Sequence, residues 1–192
     1  MHRREVLQIF GATAAAAMVP KEAVAAWARV ASGVRLPDGL SETHLALVGA
    51  IADTILPRSS SPSATDVAVP DFVNVIVASN YTDAERAVFV EGLDAIDTHV
   101  KSTFGAPFTE LPPARRGDAI GAIEGLTDRR TQPSRTYWRL KGLVIHGYFT
   151  SERVMKTVLH YEIMPGSFNG NAPMAAAAPV VRPAPTKRHD HG

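Results

Sequence analysis

Apolar residues recur at helical spacing through most of the chain between residues 41 and 161. Ser41 stands at a helix N-cap position and Pro57 at a helix end, which bounds the first helix at about residues 41–56. The apolar face of this helix is predicted to contain Leu45, Val48, Ile51, Ala52, Ile55 and Leu56.

The same periodicity predicts further helices. Pro70 opens a second helix that stops at Asn80 or Tyr81, after a surface loop over 58–69 that is rich in Ser, Pro, Thr and Asp. Thr82 and Glu85 match a capping box, so a long third helix follows and ends at Gly105. Three more are predicted from Pro112-Pro113 through Ile123, from about Pro133 to His146, and from about Ser151 to Tyr161.

No segment alternates apolar and polar residues long enough to predict a strand. The pattern therefore predicts an all-α protein, a compact bundle of about five to six helices, with a helical domain over 41–170. After Pro165 the composition shifts to alanine and repeated Pro-Ala-Pro. Residues 171–192 are predicted to form a flexible, disordered Ala/Pro-rich tail.

The first 25 residues have the composition of a twin-arginine export signal. Arg3 and Arg4 precede apolar Val6 and Leu7, and an alanine-rich run follows as far as Val19. That run, about eleven residues, is too short to span a bilayer. The small residues of Ala23-Val24-Ala25 favour cleavage after residue 25 and a periplasmic protein. The alternative is an amphipathic terminal helix in which the two arginines are incidental.

Composition narrows the classes of function. The chain has no cysteine, which excludes disulfides, thiolate metal sites and thiol nucleophiles. The formal net charge is +1, and the basic pairs Arg115-Arg116 and Arg129-Arg130 lack interleaved aromatics. A nucleic-acid partner is therefore not expected.

A search for reactive residue patterns identifies no catalytic, cofactor-binding or metal-binding residue. The seven histidines form no HExxH or ExxH pair, so His44, His99, His146 and His160 are interpreted as surface or hydrogen-bonded residues. No serine stands in a GxSxG elbow. The glycines around Ser167 lack a phosphate-loop lysine and are interpreted as a turn. Enzymatic activity of this chain is not expected.

Aromatic residues in the predicted loops are the strongest candidates for a binding surface. Two arrangements are open: the rings bind another chain, or they close the end of the domain's own core. The candidate interface consists of Gly147, Tyr148, Phe149, Thr150, Ser151, Tyr161, Pro165, Gly166 and Phe168.

Several segments together resemble the gluconate 2-dehydrogenase subunit 3 family over about residues 41–170. They are Ile51 to Pro57 with the following loop and Val69 to Phe72, Glu91 to Asp94, Gly147 to Glu152, and Tyr161 to Gly170. The resemblance implies a small subunit without catalytic residues or a cofactor of its own. It implies that the chain carries the export signal for a flavoprotein, which holds FAD, oxidises sugars or polyols and passes electrons toward a cytochrome c. The long Ala/Pro tail departs from the family pattern.

The predicted partners are therefore a flavoprotein dehydrogenase subunit, a cytochrome c subunit and the twin-arginine translocase. The complex is expected in the periplasm, where it can associate with the membrane. Two alternatives are a free periplasmic enzyme with a metal or redox cofactor, and an independent helical ligand-binding protein.

Overall fold

The computed structural model describes residues 20–33, 39–126, 128 and 130–161. These ranges contain seven α-helices and no strand, which confirms the all-α prediction for this part of the chain. The predicted export residues Arg3, Arg4, Val6 and Leu7 and the predicted tail at 171–192 lie outside it. The helices are α1 (Lys21–Ser32), α2 (Glu42–Ile55), α3 (Val69–Asn80), α4 (Asp83–Phe104), α5 (Pro113–Glu124), α6 (Gln132–Thr150) and α7 (Glu152–Thr157).

Local signals in the sequence set several helix ends as predicted. The Ser41 hydroxyl accepts a hydrogen bond from the His44 amide and caps α2. Thr82 and Glu85 form the predicted capping box at the start of α4. The long helix ends at Gly105, whose φ of 83° is a left-handed conformation that side chains disfavour.

The main core lies between α2, α3, α4 and α6, and α5 closes one side of it. Its largest fully buried side chains come from several helices and from a 3₁₀ turn at Phe108–Glu110; they include Ile51, Leu93, Phe108, Ile123, Tyr137 and Leu140. Burying a side chain of this size contributes about 1.5–3 kcal/mol.

Helices α4 and α6 approach each other most closely at Gly92. A Cβ atom at that position would lie 1.9 Å from the Thr136 Oγ1 atom and 2.6 Å from the Thr136 Cβ atom. Thr136 is buried, so its side chain has no free space into which to move. The absence of a side chain at Gly92 therefore sets the distance between these two helices.

The loop between α2 and α3 lies only partly on the surface, contrary to the prediction for 58–69. Its second half forms a 3₁₀ turn at Thr65–Val67, and Ala64 and Val67 are buried. Asp53 holds the turn, because its two carboxylate oxygens accept bonds from the Thr65 amide at 2.8 Å and the Thr65 hydroxyl at 2.6 Å. These bonds turn the apolar residues of the loop toward the core.

The predicted boundary between the last two helices was wrong. Helix α6 continues through the segment 147–150 and ends at Ser151, where the backbone becomes extended. Gly147 is part of this helix and lies against the Phe72 ring, where a Cβ atom would come within 2.7 Å of Phe72 Cδ1. Helix α7 is shorter than predicted and ends at Thr157, ahead of His160 with its positive φ of 47°.

Helix α1 was not predicted, because residues 21–25 were assigned to the export signal. It packs on α3 and forms a second, smaller apolar cluster with Phe72, Val75 and Ile76. Ala23 and Ala26 are its buried residues. The Trp27 ring stacks on Phe72 with centroids 5.0 Å apart. Residues 21–32 are therefore part of the folded domain.

Candidate partner interface

The end of α6 has one side that faces the core. Tyr148 is buried there, and its hydroxyl donates a hydrogen bond to the Pro62 carbonyl oxygen at 2.7 Å. Gly147 is buried against Phe72. Both residues were assigned to a loop that could bind a partner. The structure instead places them in a helix, where they close the end of the domain's own core.

Thr150 and Ser151 are engaged in bonds within the chain. The Thr150 hydroxyl donates to the His146 carbonyl at 2.7 Å and accepts a bond from the Trp27 indole nitrogen at 3.1 Å. The Ser151 hydroxyl donates to the Tyr148 carbonyl at 2.7 Å and is buried. These two residues stabilise the junction of α6 and α7.

The opposite side of this region exposes hydrophobic side chains to solvent. Of the predicted interface residues, Phe149 is 43% exposed and Tyr161 is 41% exposed, whereas Pro165, Gly166 and Phe168 lie outside the described residues. Three further exposed residues were missed by sequence reasoning. We call this set the C-terminal apolar patch: Ile145, Phe149, Val158, Leu159 and Tyr161.

The patch accounts for five of the seven large hydrophobic residues that the described part of the chain exposes; Val24 and Val88 are the other two. Ile145 and Phe149 lie four residues apart on α6 and so share one face of the helix. The Tyr161 amide donates to the Met155 carbonyl at 2.9 Å, which folds the end of the chain back on α7. All five residues lie within positions 145–161, and exposed apolar side chains so close together in the sequence favour a protein-binding surface.

Charged residues of α7 border the patch in sequence. Lys156 donates a hydrogen bond to Glu152 one turn earlier, and this bond lowers the pKa of the Glu152 carboxyl group. Arg153 is also exposed. An apolar centre beside charged, solvated residues is the usual composition of a protein interface.

Three of the segments that carry the family resemblance hold close contacts in the part of the fold that is described. Asp53 fixes the turn before α3, Gly92 admits Thr136, and Gly147 admits Phe72. Comparison with known families matches residues 42–166 to the family described as gluconate 2-dehydrogenase subunit 3. The chain belongs to this family. Searches of curated proteins and of solved structures gave no significant match.

In this member of the subunit 3 family, a partly buried polar network joins α5 to α6. The Tyr137 hydroxyl donates to Glu124 Oε1 at 2.6 Å, and Lys141 Nζ donates to the same oxygen at 2.7 Å. The bond from Lys141, followed by that from Tyr137, lowers the pKa of Glu124. Burial, together with Glu124, raises the pKa of Tyr137. The network therefore holds an ionised carboxylate and a neutral phenol at neutral pH, and it fixes the packing of two helices.

Within the ranges that the structure describes, no three His, Asp or Glu side chains are placed to share a metal ion. His44 lies 3.0 Å from an Asp94 carboxylate oxygen and 2.8 Å from the Ser41 hydroxyl, a surface contact between α2 and α4. No helix in those ranges combines the length and apolar composition that a membrane span requires.

A cleft of about 270 Å³ lies between α1 and α3. It is small for a ligand pocket, since such pockets measure roughly 300–1,000 Å³. Its lining includes the charged or polar residues Lys21, Glu22, Arg29, Ser79 and Asn80. The C-terminal apolar patch is therefore the stronger candidate for a functional surface.

Proposed function

We propose that this chain is a non-catalytic small subunit that binds, stabilises and co-exports a flavin-dependent sugar or polyol dehydrogenase. In this proposal the catalytic subunit holds FAD and performs the oxidation, and a cytochrome c subunit accepts the electrons. The present chain supplies the twin-arginine signal through Arg3, Arg4, Val6 and Leu7, and the complex functions in the periplasm. Family membership supports the place of the chain in a dehydrogenase complex.

The observation that carries the proposal is the C-terminal apolar patch. Removing apolar surface from water stabilises a complex by about 25 cal/mol for each Å² buried. Aromatic side chains often dominate binding energy, and Phe149 and Tyr161 are both exposed and close in sequence to the exposed aliphatic residues Ile145, Val158 and Leu159. The flavoprotein is therefore proposed to cover the end of α6 and the residues that follow α7.

The export part of the proposal follows from the nature of twin-arginine transport. This pathway carries proteins that are already folded, commonly with a cofactor inserted before transport. A flavoprotein that binds FAD in the cytoplasm requires such a route. A small subunit that carries the signal can therefore bring a tightly bound partner through this pathway, even when the partner has no signal of its own.

The interface is tested by replacing Phe149 with aspartate in a strain that also expresses the proposed flavoprotein subunit. Because a carboxylate would have to be desolvated in the interface, we expect the flavoprotein recovered with the tagged small subunit to fall roughly tenfold or more. The matched control is Val88→Asp, since Val88 is an equally exposed hydrophobic residue on α4. If the two variants retain the flavoprotein equally, the patch is not the interface.

Co-export is tested by replacing Arg3 and Arg4 with lysine and measuring the flavoprotein in periplasmic and cytoplasmic fractions. The paired arginines are the recognised element of the signal, so both subunits are expected to remain in the cytoplasm. Arg115 and Arg116, replaced by lysine in the same way, provide a control in which export continues. A flavoprotein that still reaches the periplasm when its small subunit does not would contradict the escort role.

A further inference from the structure

Helix α1 contains the peptide bond at which the export signal is predicted to be cleaved. That bond joins Ala25 to Ala26, and the buried residues of the helix lie on both sides of it. Ala23 is 1% exposed and Ala26 is 2% exposed, and both pack on α3. Ala23, one of the small residues that suit a signal peptidase, therefore also packs α1 against α3, whereas Val24 and Ala25 are exposed.

Trp27 anchors the helix beyond the cleavage position. Its ring stacks on Phe72, and its indole nitrogen donates a hydrogen bond to the Thr150 hydroxyl at 3.1 Å. Arg29, one turn from Ala26, donates a hydrogen bond to Ser79 of α3. Contacts with two different helices thus oppose local opening of residues 23–29.

Cleavage after Ala25 would remove the first turn of α1. The remaining residues 26–32 would form only about two helical turns, too few to be stable as a helix without extensive packing. Phe72, which is fully buried, would lose part of its cover. Proteolysis normally occurs in exposed, flexible segments, whereas this bond lies inside a packed helix.

We propose that the fold masks this processing site: α1 docks on α3 and α6, protects the Ala25–Ala26 bond, and is retained in the exported subunit. The proposal rests on the proposed export of a folded chain, because only a chain that folds before transport reaches the peptidase with α1 already docked. The mature subunit then begins at or before Lys21.

The test is the N-terminus of the small subunit purified from the periplasm, determined by intact mass and N-terminal sequencing. The wild-type chain is expected to begin at or before Lys21. The Val75→Glu variant places a charge under α1 without changing the sequence around the bond, and Val75 belongs to the smaller cluster rather than the main core. The fraction of chains that begin at Ala26 should rise at least tenfold in this variant.

Val88→Glu makes the same chemical change at an exposed position on α4 and should give the wild-type N-terminus. A wild-type chain that begins at Ala26 overturns the proposal. It is equally overturned if Val75→Glu remains uncut, because the undocked bond would then not be a processing site.

Failure of export would be recognised separately, since the chain would then appear only in the cytoplasm. Hydrogen exchange of the full-length cytoplasmic chain gives the deciding result in that case. Docking predicts that the amides of residues 25–30 exchange at least a hundredfold more slowly than in an unstructured peptide, and that Val75→Glu removes this protection. If these amides exchanged as fast in the wild-type chain as in an unstructured peptide, the proposal that the fold protects the Ala25–Ala26 bond would be wrong.

Discussion

Replacing Phe72 with alanine is expected to lower the free energy of unfolding of the full-length chain by about 3–5 kcal/mol. Phe72 is fully buried, stacks on Trp27 and lies against Gly147. Its removal leaves a cavity where α1, α3 and α6 meet. The effect is measured by equilibrium urea unfolding followed by far-UV circular dichroism.

The matched control for this substitution is Phe149→Ala on α6. Phe149 is 43% exposed, so its truncation should change the free energy of unfolding by less than about 1 kcal/mol. If Phe72→Ala and Phe149→Ala lowered the free energy of unfolding equally, the difference in burial between the two rings would be contradicted. The comparison also separates the stability of the domain from the proposed binding role of Phe149.

Gly92→Ala is expected to destabilise the chain by about 2–3 kcal/mol, although alanine is the better helix former. The added methyl group would overlap the Thr136 side chain, which is buried and stiff at χ1 because it is β-branched. Helices α4 and α6 would have to move apart along their shared core. The midpoint of urea unfolding measures this loss.

Gly142→Ala is the opposite case on α6. No atom lies within 4 Å of a Cβ atom built at Gly142, so alanine should raise the free energy of unfolding by about 0.5–1 kcal/mol. The change in the free energy of unfolding is therefore expected to have opposite signs for Gly92→Ala and Gly142→Ala. If Gly92→Ala were also stabilising, the close approach of α4 and α6 would be wrong.

The sequence was sufficient to predict most helix boundaries because the signals that set them are local. The Ser41 cap, the Thr82–Glu85 capping box and the glycine at 105 each act within about one turn of the helix end. The end of α6 could not be predicted in this way. The predicted helix stopped at about His146, whereas Gly147 lies within α6 and against Phe72, a contact between residues far apart in the chain.

The candidate interface was predictable only in part, for the same reason. Tyr148 extends the buried face that Tyr137, Leu140 and Val144 form on α6, and its hydroxyl donates a hydrogen bond to the carbonyl oxygen of Pro62, 86 positions earlier. Phe149 therefore faces solvent, while its neighbour does not. Ile145 could have been included, since it lies four residues before Phe149 on the same helical face. Val158 and Leu159 had no comparable signal, because α7 ends earlier than its apolar pattern indicated.

The hydrogen bond from Trp27 to Thr150 joins residues that are 123 positions apart. Ribosomes add roughly 5–20 residues per second, so Trp27 is synthesised on the order of ten seconds before its bonding partner. Throughout that interval the surface that receives the first helix is incomplete. During synthesis α1 can pack on α3 first, and only its bond to Thr150 awaits the emergence of α6.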